Sequence, residues 1–167
     1  MRRQVDHHLA RARAIGRRAT VHARSQVWES VEAVERAVSR LYPDVTVDIA
    51  GDHHATVRIE RQDLDEMLGN LVENAAKYGH GRVFVTVEQV EDKGVEIQVE
   101  DDGPGIPAAE REAIFQRGAR LDTDKPGTGL GLAIVRDVAE IYDGTVSLEE
   151  SDDLGGLLVR LRLPAAS

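Results

Sequence analysis

The sequence predicts a two-layer α/β sandwich with three main helices packed on a mixed, mainly antiparallel sheet. Three long segments repeat apolar residues at helical spacing, and the segments between them alternate apolar and polar residues as half-buried strands do. Two pairs of these strands are joined by short connections, which favours antiparallel pairing. No internal repeat or low-complexity tract interrupts this order.

The first half of the chain is expected to supply two of the helices. Valines recur every three or four residues after Ser25, which we expect to cap the N-terminus of a helix, and Pro43 cannot continue that helix. Alternating apolar residues on either side of the Gly51-Asp52 turn predict two strands there. The elements expected are a short strand at 20–23, a helix at 26–41, strands at 45–49 and 55–59, and a helix at 62–78.

The second half is expected to supply four strands and the third main helix. Two long alternating segments precede a glycine-rich stretch, and a helical pattern follows it. Asp143-Gly144 is a typical exit turn for that helix, and the last two strands close as a hairpin. The elements expected are strands at 82–89 and 94–100, a short helix near 110–115, a helix at 130–142, and strands at 145–149 and 157–163.

Composition limits the classes of function. The chain has 167 residues, 41% of them hydrophobic, which suffices for one domain with a sizeable core. It contains no cysteine, which excludes a disulfide scaffold, a cysteine-ligated zinc site and a thiol nucleophile. The net charge of −9 argues against general nucleic-acid binding, because neutralising phosphates requires a basic face. No apolar run reaches the roughly 18 residues that a transmembrane helix needs.

The N-terminal residues differ in charge from the rest of the chain. Residues 1–24 contain seven arginines and one acid, a net charge of +6, so the remaining residues sum to −15. A thin apolar stripe over residues 1–15 suits packing against a partner helix, although a solvated basic extension would have the same composition. We therefore expect two units, residues 1–16 and residues 20–165.

The helix expected at 62–78 carries polar residues beside its apolar face. Asn70, Asn74 and Lys77 lie along one edge of that face, with Tyr78 between them and the apolar stripe. Asparagine is a mediocre helix former, so two of them a turn apart suggest amide oxygens directed at one ligand. Amide oxygens suit Mg²⁺ and a lysine suits phosphate. Solvated asparagines at a surface edge would show the same spacing.

A second motif, Asp-Asp-Gly-Pro-Gly-Ile at 101–106, directly follows a predicted strand. A carboxylate from Asp101 at the strand end can accept a hydrogen bond from an exocyclic amine. Gly103 and Gly105 let the backbone approach a flat ring without a Cβ in the way. Asp-Gly and Pro-Gly are also common turn dipeptides, so a simple connection between elements is the alternative interpretation.

A third motif, Gly-Thr-Gly-Leu-Gly at 127–131, opens the helix expected at 130–142. Glycines at a helix start expose unpaired backbone N–H groups, which bind anions. The motif is neither a Walker A loop, since no Gly-Lys-Ser/Thr follows, nor a dinucleotide fingerprint, since no strand precedes it. Six of the 15 glycines lie in 103–131 together with Arg120 and Lys125, which predicts a mobile lid over a ligand. A disordered surface loop is the alternative.

Together and in this order, the motifs resemble the ATPase domain shared by histidine kinases, DNA gyrase, the Hsp90 chaperones and MutL. The matching features are the asparagine pair at 70–74, Asp-x-Gly-x-Gly at 101–105, a short helix with a phenylalanine, and the glycines at 127–131. The resemblance covers about residues 20–163 and implies the Bergerat form of the α/β sandwich. The finer match, which includes the run Ile-Phe-Gln-Arg-Gly at 114–118, is to sensor histidine kinases of the PhoQ type.

This resemblance implies a site for ATP and Mg²⁺. It assigns Asp101 to the adenine amine and Tyr78 to the adenine or ribose. It assigns Asn70 and Asn74 to Mg²⁺ and the phosphates, and Lys77 to phosphate. The catalytic residues that it implies are Asn70, Lys77, Arg120 and Lys125, the last two reaching the γ-phosphate from the lid. The further nucleotide-binding residues that it implies are Gly103, Gly105, Ile106, Gly127, Thr128, Gly129, Leu130 and Gly131.

One position within the resemblance separates ATP hydrolysis from phosphate transfer. The members of the superfamily that hydrolyse ATP carry a glutamate, which activates water, where this chain has Asn70. An amide cannot accept a proton, so this route to hydrolysis is closed. The resemblance therefore favours transfer of the γ-phosphate to a protein acceptor.

Sensor histidine kinases carry the acceptor histidine in a helical dimerisation hairpin, followed by an acidic residue and often by Thr-Pro. No such run occurs here, since His7 and His8 are followed by Leu-Ala-Arg. Residues 1–16 instead resemble the end of the second hairpin helix. The resemblance thus implies two protein partners, the hairpin and the receiver domain of a response regulator, and no nucleic acid. It also implies a cytoplasmic domain of a homodimeric inner-membrane sensor.

Two alternatives stay open on the sequence alone. A serine-kinase or anti-sigma-type module of the same superfamily would act on a different partner protein, although the helical, arginine-rich N-terminus favours the hairpin. A nucleotide-binding regulatory module that performs no transfer would be expected to have a broken lid or a missing asparagine, and the sequence shows neither.

Overall fold

The computed structural model describes residues 23–91, 94–114 and 128–166. A 3-10 turn at Ala108–Glu110 leads into the shortest helix. Within the described ranges no helix is both long enough and apolar enough to cross a membrane. The helices are α1 (Val27–Leu41), α2 (Arg61–Tyr78), α3 (Arg111–Ile114) and α4 (Thr128–Ile141), and the strands are β1 (Ser25–Gln26), β2 (Thr46–Gly51), β3 (Thr56–Val57), β4 (Arg82–Val90), β5 (Gly94–Asp101), β6 (Thr145–Glu150) and β7 (Leu157–Leu163).

In this part of the chain, the main sheet has five strands in the order β2-β4-β5-β7-β6. The β2 and β4 strands run parallel, and the other neighbouring pairs are antiparallel. A parallel pair needs a long crossover, which α2 supplies between β2 and β4. The prediction of three main helices on a mixed, mainly antiparallel sheet is therefore confirmed, with α3 as a short fourth helix.

The strands expected on either side of Gly51-Asp52 exist, but they do not form a hairpin. The β2 strand pairs with β4, whereas β3 has only two residues and pairs with β1 in a separate two-stranded sheet. Gly51 has a φ of +124°, and the N–H of Asp52 donates to the carbonyl of Val87 at 2.8 Å. The attachment of the chain to β4 thus continues one residue beyond the end of β2.

Ser25 does not cap α1, which corrects the prediction. It lies in β1, and its buried hydroxyl donates to the carbonyl of Ile59 at 2.5 Å. Gln26 is the residue that precedes α1, with an extended backbone and no capping bond from its side chain. The strand expected at 20–23 falls largely outside the described residues, and the short strand observed is β1. Pairing of β1 with β3 turns the Ser25 hydroxyl away from the helix end.

The helices cover one face of the sheet and enclose the core. Alternate residues of β4, β5 and β7 point inward, and Val85, Ile97 and Leu161 among them are almost fully buried. At the end of α4, the fully buried Tyr142 donates its hydroxyl hydrogen to Asp63 near the start of α2. A buried polar contact thus joins the two helices that border the candidate site.

The opposite face of the sheet carries a charged cluster centred on Glu96. The Glu96 carboxylate is buried and accepts hydrogen bonds from Arg162 at 2.9 Å, Arg160 at 3.1 Å and Gln98 at 2.6 Å. Arg160 also pairs with Glu149 at 2.8 Å. Burial alone would raise the pKa of Glu96, but these hydrogen bonds and the two arginine charges outweigh it and lower the pKa.

Replacing Glu96 with glutamine is expected to lower the free energy of unfolding by about 1–2 kcal/mol at pH 7. Because the folded-state pKa is lowered, the carboxylate stabilises the fold above its ordinary pKa of 4.5 and loses that contribution as the pH falls further. The difference between the proteins should therefore shrink on acidification. Urea unfolding at pH 7 and at about pH 4 measures this difference in the free energy of unfolding. Glu88→Gln, at the exposed cross-strand partner of Glu96, is the control and should change little.

Trp28, the single tryptophan of the chain, lies in the first turn of α1. Its ring stacks on His53 of the connection between β2 and β3, with the ring centroids 3.9 Å apart and the planes inclined by 20°. This stacking fixes the connection against α1, on the side where the small β1–β3 sheet lies.

Candidate functional site

A cavity of about 470 Å³ opens between α2, α4 and the inner side of the sheet. Its volume lies within the range of small-molecule sites, and most of its surface is apolar with a few polar groups. The apolar walls come from α2, α4, strands β5 and β7, and the loop that follows β5. They include Leu71, Leu132, Val99, Val159 and the loop residue Ile106.

Asp101 at the end of β5 provides a buried carboxylate in this cavity, and only 5% of the residue is exposed. Its Oδ1 atom accepts the backbone N–H of Gly103 at 2.9 Å and that of Leu157 at 3.2 Å. Its backbone carbonyl accepts the N–H of Gly156 at 3.1 Å. Because both backbone donors bind Oδ1, Oδ2 is the oxygen that can accept a hydrogen bond from a ligand.

Burial raises the pKa of the Asp101 carboxyl above its usual value, and the negative charge of Asp102 adds to the rise. The N–H groups of Gly103 and Leu157 and the charge of His80 act in the opposite direction but do not cancel it. The protein therefore compensates the buried charge only in part. A ligand that donates a hydrogen bond to this carboxylate would stabilise it further.

Glycines allow the backbone to close around Asp101. A Cβ on Gly103 would lie 2.3 Å from the carbonyl oxygen of Tyr78, and a Cβ on Gly156 would lie 2.3 Å from Oδ1 of Asp101. Gly105, with a φ of +73°, lines the cavity and turns the loop in a conformation that favours glycine. Arg111 holds the same loop by donating to the carbonyl of Ile106 at 3.0 Å.

Several residues predicted from the motifs meet at this cavity. Asn74, Tyr78, Asp101, Gly105 and Ile106 line it, although they come from two separate parts of the sequence. The Asn74 amide nitrogen is buried and has no hydrogen-bond partner among the described residues. A buried amide without a partner is costly, so Asn74 is ready to bind a polar ligand.

Other predicted residues lie elsewhere. Asn70 lines a shallow groove between α1 and α2, along with Ala37 and Glu73, and is not among the residues that line the cavity. Lys77 lies half-buried in the last turn of α2 and does not line the cavity either. Asn70 lies one helical turn before Asn74 on the same side of α2, so the two asparagines remain neighbours although only Asn74 lines the cavity.

The glycine-rich motif falls at the start of α4. This helix begins at Thr128, so Thr128, Gly129, Leu130 and Gly131 form its first turn, and Leu132 directly after them lines the cavity. The helix thus begins two residues before the predicted position. Gly127, Arg120 and Lys125, with the rest of the predicted lid at 115–127, lie outside the described residues, as does the predicted unit at 1–16.

The structure also adds residues that the motifs did not indicate. Leu157 and Val159 of β7 line the cavity, and so do Gly79 and His80 directly after α2. The backbone N–H of His80 donates to Oδ1 of Asp102 at 2.7 Å, which fixes this edge of the opening. The sequence gives one indication of this second segment, namely the adjacent glycines 155 and 156 before a predicted strand, since glycine permits close approach of the backbone.

The comparisons with known proteins agree with this geometry. The profile of the histidine kinase-, DNA gyrase B- and HSP90-like ATPase family matches residues 59–167. That range contains both helices that border the cavity, the Asp101 turn and strands β4 to β7. The match covers well over half of the chain.

Two curated relatives are sensor kinases. The two-component sensor PhoQ of Pseudomonas aeruginosa is 41% identical over 164 residues, which are 97% of this chain and 36% of that protein. The sensor protein PhoQ of Escherichia coli K12 is 37% identical over 155 residues, 92% of this chain and 32% of that protein. The chain therefore spans about a third of the length of these relatives.

Two solved structures share the fold. The mycobacterial sensor histidine kinase MprB superimposes with a TM-score of 0.78 at 28% identity, over 86% of this chain and 97% of that one. The ATP-binding domain of PrrB from Mycobacterium tuberculosis gives 0.74 at 31% identity, over 87% and 98%. This chain belongs to the histidine kinase-, DNA gyrase B- and HSP90-like ATPase family, and its relatives there include PhoQ and other sensor histidine kinases.

Proposed function

We propose that this chain binds ATP with Mg²⁺ and transfers the γ-phosphate to a histidine on a dimerisation hairpin. The observation that carries the proposal is the buried Asp101 carboxylate, which faces an apolar cavity and leaves one oxygen for a ligand. Family membership and the sensor-kinase relatives support the same reading.

The adenine end of the site combines one polar contact with apolar packing. Asp101 accepts a hydrogen bond from the exocyclic amine, and the apolar walls pack against the two faces of the ring and exclude water. Gly105 offers backbone without a Cβ, and Tyr78 at the end of α2 contacts the base or ribose. Guanine carries a carbonyl where adenine carries its amine, so an acceptor at this position discriminates against it.

The phosphate end depends on Asn74 and the residues around it. Mg²⁺ prefers oxygen ligands, and the described residues contain no cluster of three or more acidic, histidine or cysteine side chains that could hold a metal. Asn74 and Asn70 are the proposed ligands, and each would hold Mg²⁺ through its amide oxygen. The buried Asn74 nitrogen, which has no hydrogen-bond partner among the described residues, would instead donate to a phosphate oxygen. When bound, Mg²⁺ neutralises charge on the phosphates.

Phosphoryl transfer spreads negative charge over the phosphate oxygens, so catalysis comes mainly from cations and positioned N–H groups. We propose that Lys77, Arg120 and Lys125 supply the cations. Gly127 and the first turn of α4, from Thr128 to Gly131, are proposed to supply backbone N–H groups to the phosphates. Asn70 replaces the glutamate of hydrolytic relatives, which favours a protein acceptor over water.

The partners follow from the same proposal. Residues 1–16 form the end of the hairpin's second helix, and the acceptor histidine lies on a separate part of the parent protein. A response-regulator receiver domain then takes the phosphoryl group. By likeness to the PhoQ sensors, the parent is a membrane-bound homodimer with this domain in the cytoplasm.

The experiment combines this chain, Mg²⁺ and ATP labelled at the γ-phosphate with a hairpin fragment that carries the acceptor histidine. The expected result is a label on the hairpin that is labile to acid and stable to base, and that disappears when the histidine is replaced by glutamine. An acid-stable label would support the serine-kinase alternative instead. Tight ATP binding without any label would support the regulatory module and overturn the transfer.

A further inference from the structure

A six-residue turn between β6 and β7, at 151–156, folds against the end of β5. The N–H of Ser151 donates to the carbonyl of Gly156 at 2.8 Å, and the N–H of Gly155 donates to the carbonyl of Ser151 at 2.9 Å. The Ser151 hydroxyl also accepts the N–H of Leu154 at 3.0 Å. Ser151, which is 1% exposed, therefore organises the whole turn.

The same hydroxyl attaches the turn to β5. Its hydrogen is donated to Oε1 of Glu100 at 2.9 Å, and Glu100 is 3% exposed. Glu100 directly precedes Asp101 in the strand. Its side chain and the Asp101 side chain point to opposite faces of the sheet, so Ser151 contacts β5 from the face away from the cavity.

The end of the turn reaches Asp101 itself. The Gly156 N–H binds the Asp101 carbonyl at 3.1 Å, and the Leu157 N–H binds Oδ1 at 3.2 Å. One of the two donors that orient the carboxylate thus belongs to the segment that Ser151 holds. Shifting that segment would rotate or release the carboxylate, because Gly103 alone would then hold it.

We propose that Ser151, through its hydrogen bond to Glu100, is a positioning residue for the Asp101 carboxylate. This inference rests on the proposed contact between Asp101 and the adenine amine. Ser151 does not line the cavity, so it acts on the ligand only through Asp101.

The test measures nucleotide binding to the full chain by calorimetry, using ATP and purine riboside triphosphate, which lacks the 6-amino group. Ser151→Ala is expected to weaken ATP binding by about 3- to 10-fold, the value of one net hydrogen bond. Binding of the analogue should not change, because it makes no contact with the carboxylate through an amine. Equal losses for both nucleotides, or no loss for ATP in a folded variant, would overturn the proposal.

Two further variants separate positioning from general stability. Glu100→Gln keeps an acceptor for the Ser151 hydroxyl and is expected to bind ATP like the original chain, whereas Glu100→Ala should reproduce the selective loss. If Ser151→Ala does not fold, the comparison of Glu100→Gln with Glu100→Ala tests the proposal. Equal ATP affinities of these two variants would overturn it. Ser147→Ala, at an exposed position on β6, is the matched control and should change neither affinity.

A double-mutant cycle locates the effect on Asp101. In the Asp101→Asn background, Ser151→Ala should cause no additional loss of ATP affinity, whereas additive losses would contradict action through Asp101. A failure of the proposed function would give a different result. If Asp101 does not bind the adenine amine, the original chain would bind ATP no more tightly than the analogue, and no variant would be needed to show it.

Discussion

Replacing Asp101 with asparagine is expected to weaken ATP binding by at least about 100-fold, because the substitution reverses one hydrogen bond and removes a charge. The N–H groups of Gly103 and Leu157 both point at Oδ1. They will hold the amide oxygen of the asparagine at that position. Its NH₂ group must then face the ligand, where it meets the adenine amine donor to donor.

The same variant should not destabilise the fold at neutral pH. Because burial raises the pKa of Asp101 in the folded state, the protonated form favours folding and the ionised form opposes it. Asparagine removes that penalty, so its free energy of unfolding at pH 7 should equal or exceed that of the original chain. The advantage should shrink as the pH falls toward about 4, where the aspartate itself becomes protonated.

Calorimetric titration with ATP and urea unfolding at two pH values together test this variant. Asp102→Asn is the matched control, since Asp102 does not line the cavity and accepts the backbone N–H groups of His80 and Arg82 through Oδ1. Its amide oxygen can accept the same bonds, and its ATP affinity should stay within about threefold. Unchanged ATP affinity in Asp101→Asn would refute the assignment of adenine to this carboxylate.

Replacing Gly103 with alanine is expected to cost both stability and affinity. The new Cβ would lie 2.3 Å from the carbonyl oxygen of Tyr78 and 3.1 Å from the Cα of Gly79. Both contacts are with backbone, so no side chain can move aside. We expect a loss of about 2–3 kcal/mol in the free energy of unfolding. ATP affinity should fall at least about tenfold, because Asp101 also loses its shortest backbone donor as Gly103 shifts.

Gly69→Ala gives the opposite result for the same chemical change. A Cβ on Gly69 meets no heavy atom within 4 Å, and the residue lies inside α2 and away from the cavity. Alanine there should stabilise the protein by about 0.5–1 kcal/mol and leave ATP affinity unchanged. Urea unfolding and calorimetry distinguish the two variants. Equal stability of both would show that the close approach at Gly103 does not constrain the fold.

The sequence could predict the elements that depend on local pattern. The α2 helix, the long β4 and β5 strands and the final hairpin follow from apolar spacing and were found within one or two residues of their expected bounds. The cap assigned to Ser25 was wrong, because its hydroxyl is taken by a carbonyl 34 residues away. A local pattern contains no information about such a partner.

The same limit applies to the site. The motifs identified Asp101 and Asn74, which meet at the cavity although 27 positions separate them. They did not identify the turn at 151–156, whose contacts with Glu100 and Asp101 join residues more than 50 positions apart. They also grouped Asn70 with Asn74, which lie one turn apart on α2, and of the two only Asn74 lines the cavity, whereas Asn70 lines the groove between α1 and α2.

The stacked pair of Trp28 and His53 has a practical consequence for these measurements. Since this is the only indole in the chain and neither residue lines the cavity, its fluorescence reports the contact between α1 and the β2–β3 connection. Emission can therefore follow unfolding in samples with or without nucleotide, while calorimetry follows occupancy. Tryptophan fluorescence thus distinguishes a variant that is folded but no longer binds ATP, such as Asp101→Asn, from a variant that is unfolded.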